Sequence, residues 1–66
     1  MQPTPQDIKD LRMRHKITRE ELARSLYETK PGRIMDWELG RRRCPPITWW
    51  AMVLTWDKRD LWEEEN

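Results

Sequence analysis

The sequence predicts a single all-α domain of four to five short helices that spans residues 1–66. Segments with helical spacing of apolar residues alternate with short breaks, and the two glycines and five prolines fall at those breaks. β-branched residues are sparse and form no alternating run, which argues against a sheet. Because a chain of 66 residues buries only about 60% of the surface that its unfolded form exposes, we expect one marginal core.

The first helix is predicted to begin after Thr4, whose side chain can accept a hydrogen bond from a free backbone N–H of the first turn. Pro5 suits the first helical position because its fixed φ matches a helix and no N–H is needed there. Ile8 and Leu11 share one face, and we expect them in the core. The helix should end near Lys16.

Thr18 and Glu21 have the spacing of a capping box, in which each side chain accepts a hydrogen bond from the other residue's backbone N–H. They predict the start of a second helix, and Ile17 is the hydrophobic residue that enters the core just before it. The apolar stripe of this helix consists of Leu22, Ala23 and Leu26.

The third helix has two alternative starts. Either Thr29 caps it and residues 30–32 form its first turn, or Pro31-Gly32 is itself a turn and the helix begins at Arg33. In both cases we expect the helix to end around Gly40, because glycine often follows a helix C-terminus.

Pro45 and Pro46 enforce an extended break, and Thr48 is predicted to cap a fourth helix after it. The apolar positions of that helix are Trp49, Trp50, Val53, Leu54 and Trp56. Residues 57–66 form either a short fifth helix that holds Leu61 and Trp62 or a terminal tail.

Composition argues against several classes of function. Cys44 is the only cysteine and His15 the only histidine, so an internal disulfide and the usual four-ligand zinc site are excluded. The chain has no glycine-rich phosphate loop and no nucleophile–base–acid set, and we expect no enzyme, metal, cofactor or small-molecule ligand. No apolar run approaches the roughly 18 residues of a membrane span, and no signal peptide opens the chain. The prediction is a soluble cytoplasmic protein.

The charge distribution divides the chain. Residues 1–43 contain eleven Lys and Arg against seven Asp and Glu, whereas residues 44–66 contain two against five. A polyanion would be attracted to the first part and repelled by the last. The alternative is that the many charged side chains only keep a small helical protein in solution, and charge alone does not decide between the two.

Five short segments occur together in a specific order and spacing. They are Leu11-Arg12, residues 17–23, Ile34, residues 37–41 and Pro45-Pro46. On these segments, residues 6 to about 53 resemble the Cro/repressor-type (XRE-like) helix-turn-helix family of prokaryotic and phage transcriptional regulators. The resemblance implies a lambda-repressor-like domain with a central helix-turn-helix. Two departures are Tyr27, where the family usually has glycine, and one additional residue before Ile34.

The resemblance implies sequence-specific binding of double-stranded DNA. The chain would act as a repressor that binds an inverted-repeat operator as a homodimer, in a bacterial cell or a phage-infected host. Base readout would fall to residues at the start of helix three: Thr29, Lys30, Gly32, Arg33 and Asp36. Phosphate contacts would come from Thr18, Arg19, Arg41, Arg42 and Arg43.

The resemblance also implies contacts within the domain. Arg12 on helix one would form an ion pair with Glu38 at the end of helix three; the alternative is two surface charges of little energetic value. Ala23 would allow helices two and three to cross closely. The core beneath that crossing would consist of Leu22, Leu26, Ile34 and Trp37.

Five tryptophans in 66 residues indicate an interface, because a monomer this small would leave some of them exposed. The candidates for a dimer interface are Trp49, Trp56, Leu61 and Trp62. The alternative function on the same scaffold is a protein-binding adaptor or inhibitor, antitoxin-like or phage-encoded. Pro31-Gly32 supports it, since neither side chain can form a hydrogen bond with a base at a readout position.

Overall fold

The structure is a computed structural model that describes residues 2–27 and 29–58. Its helices are α1 (Pro5–Arg14), α2 (Arg19–Ser25), α3 (Pro31–Glu38) and α4 (Pro46–Met52), and a π-helical turn over Val53–Asp57 continues α4. These ranges contain no strand, so the predicted all-α class is confirmed. Leu61 and Trp62, and with them the choice between a fifth helix and a tail, lie outside the described residues.

Capping boxes start both α1 and α2. The Asp7 N–H donates to Thr4 Oγ1 at 3.1 Å, and the Thr4 N–H donates to Asp7 Oδ2 at 2.9 Å. The Thr18–Glu21 box has the same two bonds, at 3.0 and 3.2 Å. Both predicted starts are therefore confirmed. The helix ends at Arg14, close to the predicted end near Lys16, where the backbone reaches a left-handed φ of 54°.

The observed start of α3 differs from both predicted alternatives. The helix begins at Pro31, and Lys30 is its N-cap residue without a side-chain cap bond. A start at Arg33 is therefore wrong, and so is capping by Thr29, whose hydroxyl instead donates to the Leu26 carbonyl at 3.2 Å. Proline tolerates an uncapped helix start because its missing N–H leaves one donor fewer to satisfy.

The turns on either side of α3 both contain a left-handed residue. Before the helix, Tyr27 has φ of 50°, a conformation that costs a non-glycine residue about 1–2 kcal/mol. After the helix, Gly40 has φ of 75°, and its N–H donates to the Trp37 carbonyl at 3.3 Å. The Arg41 N–H donates to the Asp36 carbonyl at 2.8 Å. These two bonds form a Schellman motif, which satisfies carbonyls at the end of α3.

The start of α4 also differs from the prediction. Thr48 does not cap the helix; Pro45 is the N-cap residue and Pro46 the first helical residue. The helix begins earlier than predicted because the fixed φ of Pro46 suits its first position. Of the apolar positions predicted here, Trp50 and Leu54 are exposed, whereas Met52, which the prediction omitted, is fully buried.

The core lies between all four helices. Its buried members are Ile8, Leu11, Ile17, Leu22, Ala23, Ile34, Trp37, Cys44 and Met52. Ala23 is buried between α2 and α3, where a small side chain permits a close crossing. Trp37 is core as predicted, and its indole N–H has no hydrogen-bond partner among the described residues. No helix in this part of the chain has the length and apolar content needed to cross a membrane.

Candidate nucleic-acid interface

Glu38 is the centre of an ion cluster that joins three helices. The Arg12 Nε donates to Glu38 Oε2 at 2.7 Å, and the Arg12 Nη2 donates to Oε1 at 3.2 Å. Arg19 adds bonds to Oε1 from Nη2 at 3.2 Å and from Nε at 3.3 Å. The Glu38 side chain is only 2% exposed. The Arg12–Glu38 pair implied by the resemblance is thus present, and its carboxylate is buried.

Arg19 has a second role that the sequence did not indicate. Its Nε and Nη2 atoms bind Glu38, yet its side chain is 40% exposed. The guanidinium therefore lies at the edge of the domain in a fixed orientation, with an Nη1 group still able to donate. Because a held guanidinium loses less conformational freedom on contact, this arrangement suits a phosphate ligand.

A groove runs between the starts of α2 and α3, and we call it the α2–α3 groove. Its volume is about 540 Å³. One side is formed by Thr18, Arg19 and Glu20, and the other by Pro31, Gly32 and Met35; Arg12, which Glu38 binds, completes the lining. Apart from its chain neighbours and the adjacent backbone of α3, no atom lies within 4 Å of the position that a Cβ would take at Gly32. The groove is therefore open at its α3 side.

The predicted base-reading cations lie at the start of α3. Lys30 and Arg33 are both exposed, and together with Thr29 they line a hollow of about 290 Å³ toward the start of α4. The two cations and the α2–α3 groove therefore lie on different sides of α3. Neither Lys30 nor Arg33 forms an ion pair within residues 2–27 and 29–58, so the ammonium and the guanidinium can both reach a ligand.

Asp36 does not lie open to solvent as a base-reading residue would. Its carboxylate oxygens are 3.8 Å from Arg41 Nη1 and 3.5 Å from Arg42 Nε. Its backbone carbonyl accepts hydrogen bonds from the N–H groups of both arginines. Asp36 therefore partly neutralises and orders Arg41 and Arg42, the first two members of the arginine triplet 41–43. This role follows from the Schellman turn and was missed because the path of that turn is not evident in the sequence.

Arg43 forms no ion pair with Asp36 in the described residues. It lines a separate hollow with Arg42 and the N-terminal residues Gln2 and Pro3. The Gln2 Nε2 donates to the Cys44 carbonyl at 3.0 Å, so the start of the chain is attached to the segment after the triplet. The three predicted phosphate-binding arginines consequently do not share a single environment.

A second charged cluster joins α1 to the π-helical turn. Asp57 Oδ2 lies 2.6 Å from Arg14 Nη2, and Asp57 Oδ1 lies 2.6 Å from His15 Nε2. Burial alone raises the pKa of the Asp57 carboxyl, but the hydrogen bonds and positive charges of Arg14 and His15 outweigh it and lower that pKa. The cluster therefore favours the ionised carboxylate and fixes the end of the described chain.

The tryptophans predicted at a dimer interface pack within the chain. Trp56 donates its indole N–H to Ser25 Oγ at 3.1 Å, and its ring lies 5.8 Å from that of His15. Trp49 is partly buried against the core. The exposed apolar side chains of this region are instead Ile47 (81%), Trp50 (56%) and Leu54 (46%). The prediction rested on the number of tryptophans in a small chain, and the core accommodates Trp49 and Trp56 as partly buried side chains.

No group of three His, Cys, Asp or Glu residues that could hold a metal ion occurs in residues 2–27 and 29–58. Comparison with family models, with curated proteins and with solved structures gave no match to the chain.

Proposed function

We propose that the chain is a sequence-specific double-stranded DNA-binding protein that represses transcription as a homodimer on an inverted-repeat site. The observation that supports this function best is the arrangement of cations around α3. Arg19 lies at the α2 side of that helix, Lys30 and Arg33 at its start, and Arg41 and Arg42 at its end. A helix flanked in this way matches a major groove with a phosphate strand on each side.

The dimensions agree with this placement. An α-helix with its side chains is about 10–12 Å across, and the major groove of B-DNA is about 12 Å wide. Cations on both sides of α3 would then meet phosphates, and the exposed surface of α3 would meet base edges. Arg33 is the residue proposed to donate to O6 and N7 of a guanine, because only a guanidinium offers two parallel donors for them.

Phosphate contacts are assigned to the cations around that surface. Arg19 would bind one strand while Glu38 holds its guanidinium, and Arg41 and Arg42 would bind along the strand near the end of α3. The Thr18 oxygen accepts the Glu21 N–H at 3.0 Å, which leaves its hydroxyl proton available for a phosphate oxygen.

The dimer contact is assigned to the outer face of α4. Ile47 and Trp50 are exposed and spaced at i and i+3, so they share one face of α4, and the exposed Leu54 follows in the π-helical turn. Residues 44–56 contain no charged residue, and a second copy can approach this face without burying an unpaired charge.

The test is selection from a randomised duplex pool at about 150 mM salt, followed by a salt titration on the enriched site. We expect an inverted repeat with half-site centres about one helical turn apart, and log affinity that falls with log salt by about 0.9 per phosphate contact. Arg33→Ala should weaken binding about 10- to 100-fold and relax one position. Arg42→Ala should reduce the salt slope by about 0.9 without changing the preferred sequence.

Lys9→Ala is the matched control, because Lys9 is an exposed cation on α1 outside the proposed interface. It should leave both the preferred site and the salt slope unchanged. A pool without enrichment, or equal losses for Lys9→Ala and Arg33→Ala, would contradict sequence-specific DNA binding.

A protein-binding adaptor is the second candidate, and the exposed apolar side chains of α4 favour it. Under this function Trp50→Ala should abolish capture of a partner, whereas Arg33→Ala should not change it. Under the DNA-binding function, Trp50→Ala should bind the site normally once the protein concentration is high enough for the variant to dimerise. Arg33→Ala should keep its roughly 10- to 100-fold loss of affinity at that concentration.

A further inference from the structure

We infer that the α2–α3 groove receives the methyl edge of thymine, so that thymine is selected at one or two positions of each half-site. This inference rests on the proposed function and specifies the chemistry of its base readout. The feature that carries it is the α3 side of the groove, which Pro31, Gly32 and Met35 form without a hydrogen-bonding side chain.

An apolar groove wall discriminates between base edges. In the major groove, guanine, cytosine and adenine present donors and acceptors alone, whereas thymine also presents a C5-methyl group. A donor or acceptor placed against Pro31 and Met35 would lose its water without gaining a partner, which is unfavourable. A methyl group placed there loses only unfavourable hydration. The wall therefore favours thymine over the other three bases.

The groove has room for that methyl group. The Cβ position of Gly32 has no neighbour within 4 Å, so the backbone of α3 can approach a base closely at this point. Met35 is partly buried, and its flexible thioether can adjust to the shape of a methyl group. The first turn of α3 thus offers an open apolar contact on a different side of the helix from Lys30 and Arg33.

The charges on the opposite side indicate how DNA would be oriented. Arg19, held by Glu38, offers a donor to a phosphate at the edge of the groove. Glu20 is exposed and also lines the groove, and its carboxylate repels a phosphate that enters. The combination places the phosphate at the edge and leaves the interior of the groove to a base.

The experiment uses the enriched site from the pool selection, with each thymine replaced in turn by deoxyuridine, which lacks only the C5-methyl group. For the full chain we expect about three- to fivefold weaker binding at one or two thymines per half-site, since one buried methyl group is removed. All other thymines should tolerate the change within about 1.5-fold.

Gly32→Ala connects the loss to this groove. Its added methyl group meets no atom of the protein, so folding is preserved, but it occupies the space proposed for the thymine methyl. The variant should bind the thymine site more weakly and lose the preference for thymine over deoxyuridine. Met35→Ala should reduce the same preference, whereas Met13→Ala, at an exposed methionine of α1, should leave it at three- to fivefold.

The outcomes separate the inference from the function on which it rests. An enriched site in which every thymine tolerates deoxyuridine would overturn the inference while DNA binding stands. A deoxyuridine effect that persists unchanged in Gly32→Ala would assign the methyl contact to another surface and overturn it as well. A pool without enrichment would contradict the proposed function itself.

Discussion

The first three helices and the fourth are held in place by different forces. Between α1, α2 and α3, the buried Glu38 carboxylate binds two arginines beside an apolar core. Between this unit and the segment from α4 onward, the contacts are mainly apolar, with Met52 buried and Trp49, Val53 and Trp56 packed against the core. The ionic contacts that join the two parts in the described residues are those of Asp57.

This difference shows that one small domain can use ion pairs to orient some of its helices and apolar packing to hold another. Hydrogen-bonded ion pairs require a particular geometry, so the Glu38 cluster determines how α1 and α2 lie relative to α3. Apolar packing tolerates rearrangement more readily, and it attaches a charge-free helix on which Ile47 and Trp50 are exposed. The proposed DNA contacts all belong to the part in which orientation is determined by hydrogen bonds.

The largest effect is expected from Glu38→Gln, which removes the charge that two arginines share. The free energy of unfolding should fall by about 3–5 kcal/mol, because breaking a buried ion pair leaves charge without a partner. A domain of this size has only about 3–10 kcal/mol in total at typical values per residue, so urea denaturation should show a much lower midpoint or an unfolded chain.

Arg19→Gln is the control for that variant. Arg19 is more exposed than Glu38, and its loss should cost about 1 kcal/mol or less because Arg12 still pairs with the carboxylate. Equal effects of the two variants would contradict a cluster centred on a buried Glu38.

A smaller effect, of opposite sign at two positions, is expected for the turns around α3. Gly40→Ala should lower the free energy of unfolding by about 1–2 kcal/mol, because alanine is strained at a φ of 75°. Tyr27→Gly should raise it by about 0.5 kcal/mol, since relief of strain exceeds the added freedom of the unfolded chain. Urea titrations of both variants check the signs, and a loss of stability in Tyr27→Gly would show that the Tyr27 side chain contributes contacts.

The smallest effect concerns the ionic link between the two parts. The pKa of Asp57 is lowered from its ordinary value of 3.8 in the folded chain, so its contribution is present above that pH and is lost as pH falls through the lower, folded value. The midpoint temperature of thermal unfolding should therefore fall more steeply for the wild type than for Asp57→Asn as the pH is lowered below about 4. Parallel curves for the two proteins would contradict the link.

The sequence predicted the starts of α1 and α2 correctly, because side chains close in sequence cap both helices. Thr4 and Thr18 each have an acidic residue three positions later, and both capping boxes form as the spacing indicates. The starts of α3 and α4 carry no side-chain cap, and there the nearby threonines, Thr29 and Thr48, were misleading. A hydroxyl in the right region predicts a cap only where no proline has already set the first helical residue.

The residues of the candidate site also differ in how far the sequence could predict their roles. Arg33 could be assigned from the core positions around it, because helix geometry alone places it outward. The bonds of Arg19 to Glu38 and the ion pairs of Asp36 depend on how helices cross and turns close. Single-sequence patterns contain no information on such distances, so both residues were assigned only half of the role that their contacts support.

The reactivity of Cys44 can report local opening of the structure around it. It is the only cysteine of the sequence, it is 2% exposed in the core, and burial raises its pKa to about 11. A thiol that is both covered and protonated reacts slowly with electrophiles. The labelling rate of Cys44 therefore measures how often the junction between the arginine triplet and α4 separates, without a dye, a tag or a substitution.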